Sequence, residues 1–193
     1  MKDIFKVPIQ VHDLNVDNDK IIKWSYDLKK IDPGRQISNR GGWQSNGLTD
    51  TSEIDELTRQ VAKLGYEYGK GIGLNCSSIH FGGWVNINEY LSYNKSHTHN
   101  GALFSCVYYA QVPENSGDIV FANPFAEKFY SDTYWDNFID IHNEYTSTEY
   151  SFTPKEKMLL IIPGWLEHYV EKNMNENEER ISLAFNGEFN NVV

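Results

Sequence analysis

Residues Ser96–Tyr109 read SHTHNGALFSCVYY. The second half, from Ala102, is a continuous apolar run without the polar alternation of a half-exposed strand, so it predicts a central strand. The first half spends two of the chain's six histidines one residue apart. In extended backbone, side chains at i and i+2 face the same way. His97 and His99 are therefore either polar residues of a surface loop or two ligands aimed at one metal ion.

Outward from this stretch the chain reads as strands. IHFGGWVNINEY before it alternates. After it come GDIVFANP, closed by Pro124, then NEYTSTEYSF, the buried run KMLLIIP, the short LEHYVEK and finally RISLAFNGEF. FAEKFYSDTYWDNF is ambiguous between helix and strand. The N-terminal part differs. IFKVPIQV (4–11) alternates as a half-buried strand. Asp17 or Asn18 then offers a helix cap ahead of Ile21, Trp24, Leu28 and Ile31, an apolar face at helical spacing ended by Asp32-Pro33-Gly34. Ser52 and Asp55 suggest a capping box for a second helix over 52–68, with Ile54, Leu57, Val61 and Leu64 as its stripe. Between the helices, NRGGWQSN (39–46) is either a surface loop or a loop that closes over a site.

Helices gathered at one end and about eight strands after them predict an α+β, mainly β, single domain over 1–193, its strands closing into a jelly-roll or cupin-like barrel. The 193-residue length, with 40% hydrophobic and 23% charged residues, suits one compact core. A net charge of −10 without a basic patch argues against nucleic acid as a partner. MLLIIPGWL, the longest apolar run, is too short to span a bilayer. The charged N-terminus is unlike a signal peptide and two cysteines make no disulfide scaffold, so the expected location is the cytoplasm.

A third ligand for His97 and His99 has to come from elsewhere, and the late strands offer His168 in PGWLEHYV. Three ligands on one face leave open positions on an octahedral ion, which suits non-haem Fe(II). Twelve residues on, Arg180 and Ser182 share one face of the last strand, and a guanidinium fork beside a hydroxyl seats a carboxylate. Trp84, Asn86 and Asn88 share one parity in WVNIN and are candidates for a substrate pocket, or for barrel core. Arg40 and Trp43, on the glycine-rich loop, are further candidates for substrate contact. Trp165 is read as packing within its turn. His12, His80 and His142 have no partner at ligand spacing and read as ordinary polar residues.

The ordered set H-x-H, H and R-x-S resembles the Fe(II)/2-oxoglutarate-dependent dioxygenases, more narrowly the oxygenases of this type known from bacteria and marine phages. The likeness is carried by GGWQSN, WVNIN, HTHNGALFSCVYYAQVPENSGDIVFANP, MLLIIPGWLEHYV and ERISLAFN, and SCVYY ahead of P..SG.I.F..P is similar to the prolyl-hydroxylase-like branch. The resemblance implies a double-stranded β-helix with supporting N-terminal helices, and Fe(II) and 2-oxoglutarate as cofactors. It implies that O2 is consumed, that 2-oxoglutarate becomes succinate and CO2, and that an unidentified prime substrate, such as a peptide or protein residue, is hydroxylated. By position it makes His97 and His168 iron ligands, with His99 where the family usually has a carboxylate. Arg180 and Ser182 would bind the distal carboxylate of 2-oxoglutarate, and Tyr109 would assist while Tyr108 points away.

Two rival readings stand beside this one. A cupin dioxygenase would use three histidines without 2-oxoglutarate, but usually adds a glutamate where this chain has Asn100 to Phe104, and it leaves Arg180 unexplained. A jelly-roll binding module would use a metal such as zinc only to staple strands, but no fourth ligand appears at suitable spacing. The sequence leaves oligomeric state open.

Overall fold

The computed structural model describes residues 2, 4–48, 51–76, 79–129 and 139–189. In chain order the elements are β1 (Gln10–Asp13), α1 (Asn18–Ile31), β2 (Asn39–Arg40), β3 (Trp43–Gln44), α2 (Asp55–Gly71), β4 (Ile79–Asn88) and β5 (Tyr93–His97). There follow β6 (Ala102–Gln111), β7 (Ile119–Ala122), α3 (Ala126–Phe129), β8 (Glu149–Phe152), β9 (Met158–Pro163), β10 (His168–Val170) and β11 (Arg180–Phe189). The strands form two antiparallel sheets, ordered β1-β9-β6-β11-β4-β3 and β2-β5-β10-β7-β8. Among the described residues, hydrogen bonding does not join the two sheets into one closed barrel.

The expected central strand is β6, which lies between β9 and β11 in the larger sheet. Its side chains divide by parity. Cys106, Tyr108 and Ala110 belong to a core shared with the helices, alongside Val85, Ile87, Leu159, Ile161, Ile181 and Leu183. Tyr109 belongs to a second core, with Ile119, Phe121, Leu160, Ile162 and Leu166. The larger sheet is thus buried on both faces, which is why its strands read as near-continuous apolar runs.

Helix α1 starts where expected: the Asp17 carboxylate accepts the Lys20 backbone N–H, and the chain turns out of the helix at Asp32. The capping box predicted at Ser52 is absent. Helix α2 begins at Asp55, and Ile54 at its N-cap makes no side-chain cap bond. The helix also runs past Tyr68 to Gly71, because Gly65 and Gly69 let it lie close on β6. A Cβ at Gly65 would stand 2.8 Å from the Phe104 ring, and one at Gly69 2.6 Å from Cys76 Sγ. The first strand is also displaced, to Gln10–Asp13, where it pairs with β9, while Ile4 and Phe5 are exposed. Pro8, which has no N–H to donate to a ladder, lies in the middle of the predicted run.

Of NEYTSTEYSF only Glu149–Phe152 is strand, and Asn143–Thr146 forms a turn. In the ambiguous FAEKFYSDTYWDNF, Ala126–Phe129 is a short helix and residues 130–138 lie outside the described residues.

The glycine-rich segment does not lie free on the surface. Its halves are β2, paired with β5 of the smaller sheet (Asn39↔Asn94), and β3, paired with β4 of the larger (Gln44↔Asn86). The Asn39 amide donates to the carbonyls of Arg35 and Gly42 and fixes the bend between them. This segment ties the two sheets together along one edge.

Candidate metal centre and diacid pocket

His97 and His168 are seventy-one positions apart, yet they are direct cross-strand partners of β5 and β10. His99 lies just beyond the end of β5, where its backbone N–H donates to the Gly164 carbonyl (2.8 Å) in the turn between β9 and β10. The ring centroids are 4.5 Å apart for His97–His168, 5.2 Å for His97–His99 and 5.1 Å for His99–His168. The nitrogens able to bind a metal all lie within 4.8 Å of one another.

Two of the rings are held by their Nδ1 atoms. His97 Nδ1 is 2.7 Å from the Lys95 carbonyl and His168 Nδ1 is 2.9 Å from the Leu166 carbonyl. A carbonyl only accepts, so each Nδ1 carries the proton and each Nε2 keeps its lone pair. Burial pushes all three imidazoles below the ordinary histidine value. His99 is lowered to about 3, with repulsion from His168 and His97 adding to burial, and His168 to about 4 by burial and by His97. The rings are therefore neutral near pH 7, which is the form that ligates a metal.

Trp84 stacks on His99 (centroids 5.8 Å apart, planes at 27°), and the Arg35 guanidinium lies 5.8 Å from the centre of the same indole. The cavity between the sheets continues from the histidines past Trp84, Asn86 and Asn88 of β4 to Ser182 and Arg180 of β11, with Tyr109 of β6 beside them. Arg180 is only 2% exposed. One of its terminal nitrogens donates to the carbonyls of Ser116 (2.6 Å) and Gly117 (3.1 Å), and no described carboxylate forms an ion pair with it. Burial lowers its pKa to about 10, so it stays a cation near neutrality. Ser182 is paired in register with Asn86 on one side and Tyr109 on the other. Tyr108 points the other way, its hydroxyl bonded to Asn18 at the start of α1.

Both groups of expected site residues meet in this one cavity. The two loop candidates do not line it. Arg40 folds back on its own loop, donating to the carbonyls of Ile37 and Asn39, and the Trp43 indole donates to the Asp32 carbonyl and packs on the helix-side core. Trp165, expected to pack within its turn, is 55% exposed. His12, His80 and His142 have ordinary polar neighbours: the Gln10 side chain, Glu188 and the Thr146 carbonyl.

Sequence reasoning missed Asn94, which accepts from Asn88 and donates to Ser38 within the cavity lining. Strict alternation puts Asn94 on the face opposite His97. A register shift opposes the three steps from Asn94 to His97 to only two on β10, and this bulge brings both side chains to the cavity.

Residues 82–186, more than half of the chain, match the family model described as "Putative 2OG-Fe(II) oxygenase". The chain belongs to the 2OG-Fe(II) oxygenase family. As a member it is an enzyme whose cofactors are Fe(II) and 2-oxoglutarate. The fold is similar to that of a Pseudomonas putida prolyl-4-hydroxylase, at 12% identity over 95% of this chain and 94% of that one, with a TM-score of 0.66. It is also similar to a Trichoplax adhaerens prolyl hydroxylase solved in complex with a hypoxia inducible factor oxygen degradation domain peptide fragment (13% identity, 94% of this chain and 83% of that one, TM-score 0.68). HygX from Streptomyces hygroscopicus, solved with nickel and 2-oxoglutarate bound, is a third similar fold (10% identity, 94% and 83% covered, TM-score 0.61). No curated protein matches the sequence.

The residues of this oxygenase fit both cofactors. Three converging neutral imidazoles suit a divalent transition metal. A buried guanidinium without a carboxylate partner suits a ligand carboxylate. Asn86 Oδ1, buried in the cavity lining without a hydrogen-bond partner, marks a place where a ligand group completes the polar contacts.

Proposed function

We propose that this single-domain oxygenase hydroxylates a C–H bond of a prime substrate, with His97, His99 and His168 as its iron ligands. Arg180, with Ser182 and Tyr109, grips the distal carboxylate of 2-oxoglutarate. The observation that carries the reading is the cross-strand pairing of His168 with His97, with His99 completing the cluster, at one end of a cavity that has the buried cation Arg180 at the other. In this reading the two open sheets are the halves of a double-stranded β-helix of jelly-roll form, and α1 and α2 buttress its larger half.

Iron held by the three histidines would, with 2-oxoglutarate and O2, supply the oxidising power, the diacid leaving as succinate and CO2. The protein's own residues perform the remaining tasks. The Lys95 and Leu166 carbonyls hold the Nδ1 protons of His97 and His168, so that Nε2 faces the cavity. Arg180, fixed by the Ser116 and Gly117 carbonyls, sets the depth at which a diacid stops. Apolar packing of Val107, Ile119 and Val170 around the cavity excludes water from the space between these anchors. Trp84, stacked on His99, and Asn86 and Asn88 are the residues proposed to meet substrate or diacid beside the metal. Similarity in fold to prolyl hydroxylases favours a peptide or protein residue as prime substrate. The acidic surface argues against nucleic acid, and no described helix is long and apolar enough to cross a membrane. A cytoplasmic setting accords with two buried free cysteines.

The cupin alternative leaves the cation at the far end of the cavity without a task. Succinate formation from 2-oxoglutarate with Fe(II) tests the reading. His168→Ala is expected to abolish it, and Arg180→Ala to raise the KM for 2-oxoglutarate by at least tenfold. Oxygen uptake independent of 2-oxoglutarate, or full activity in either variant, would overturn the assignment.

A further inference from the structure

All three converging ligands are imidazoles, and this sets the charge of the site. An imidazole that holds a metal is neutral. Among the described residues lining the cavity there is no Asp or Glu, and the one fixed charge is Arg180. Three carboxylates lie near the site but outside that lining. Asp118 and Glu171 act on Arg180 at a distance, and Glu171 accepts the Asp118 backbone N–H. Glu167, beside His168, accepts the Ser96 hydroxyl. A divalent ion alone would thus put three positive charges between the sheets with no anion in the lining. A dianionic 2-oxo acid lowers that to one. Charges among side chains as buried as His99, His168 and Arg180 are weakly screened, so the difference weighs on affinity.

We propose that the site loads its metal and its diacid as a pair, with the 2-oxoglutarate dianion serving as the counter-ion that the protein does not provide. The inference rests on the metal-centre and diacid readings above. Metal alone binds weakly, diacid alone binds weakly, and each raises the affinity of the other by the same factor, as linkage requires. The residue responsible is His99. A carboxylate at that position would neutralise half the ion's charge before any diacid arrived.

The test uses Mn(II) as the probe, with the free ion measured by electron paramagnetic resonance under anaerobic conditions, so that no turnover is needed. Saturating 2-oxoglutarate is expected to lower the Mn(II) Kd of the intact protein about a hundredfold, in the upper part of the usual range for coupled ligands. His99→Asp is expected to bind Mn(II) alone more tightly than the intact protein and to show a coupling of about tenfold or less. His99→Asn, uncharged and the same size as aspartate, should not tighten metal binding. Equal Mn(II) affinity with and without 2-oxoglutarate overturns the proposal and leaves the metal centre standing. Undiminished coupling in a folded His99→Asp protein does the same. Absence of Mn(II) binding under both conditions removes the metal centre itself. Should His99→Asp fail to fold, Arg180→Met measured without 2-oxoglutarate decides: tighter Mn(II) binding is expected, and unchanged or weaker binding overturns the proposal.

Discussion

Replacing Gly164 by alanine strikes the joint on which the histidine cluster depends. Gly164 lies in the turn between β9 and β10; its N–H donates to the Leu103 carbonyl (3.1 Å) and its carbonyl accepts the His99 N–H (2.8 Å). A Cβ built there stands 2.1 Å from the Ala102 carbonyl oxygen and 2.8 Å from the carbonyl carbon. Both are backbone atoms of β6, a strand held between β9 and β11, so the turn has to retreat and stretch both hydrogen bonds. Overpacking of this kind costs about 1–3 kcal/mol, and each weakened hydrogen bond up to about 1 kcal/mol more. A loss near 3 kcal/mol, with a urea slope of about 2–3 kcal/mol/M, moves the unfolding midpoint down by about 1 M. The turn leads directly to His168 and anchors His99, so Mn(II) affinity should fall with stability. Equilibrium urea unfolding and Mn(II) titration measure the two effects. Gly82→Ala serves as control, because a Cβ there meets nothing within 4 Å. A Gly164→Ala protein with the parent's midpoint would refute the claim that this turn fixes the cluster.

Three further outcomes are expected. The buried histidines bind protons less readily in the native state than in the unfolded chain, where the ordinary value of about 6.5 applies. Metal-free stability is therefore full above about pH 6.5 and declines as pH falls toward the native values of about 3 for His99 and about 4 for His168. The slope is about 1.4 kcal/mol per pH unit for each engaged histidine. Urea midpoints between pH 7 and 4.5 read this out, and a profile that His99→Asn leaves unchanged would contradict it. Tyr109→Phe should raise the KM for 2-oxoglutarate roughly tenfold, the value of about 1.5 kcal/mol for a bond to a charged group, with little change in kcat; steady-state kinetics with an unaltered KM would remove Tyr109 from the diacid site. Tyr108→Phe leaves Asn18 Oδ1 buried without its partner and should cost about 1–2 kcal/mol without altering that KM. Denaturation and kinetics on the same preparation separate stability from diacid binding.

Local periodicity carried much of the fold into the sequence. The apolar stripe of α1, the parity that sets Arg180 and Ser182 on one face, and the opposed directions of Tyr108 and Tyr109 all follow from spacing over a few residues, where backbone geometry alone places side chains. The failures have equally local causes. Pro8 interrupts the predicted first strand. Gly65 and Gly69, residues that ordinarily weaken a helix, are retained because α2 must approach Phe104 and Cys76 closely. Asn94 was hidden by a bulge that strict alternation does not foresee.

The sequence by itself determined the chemical inventory: three imidazoles, one guanidinium, the hydroxyls and amides around them, and the missing carboxylate at position 99. Only the tertiary structure decided that these groups share one cavity. The register of β5 against β10 sets His97 opposite His168, and the segment joining β2 to β3 ties the two sheets along one edge. Such pairings depend on long-range closure and on how two apolar faces exclude water, and no short window of residues contains that information.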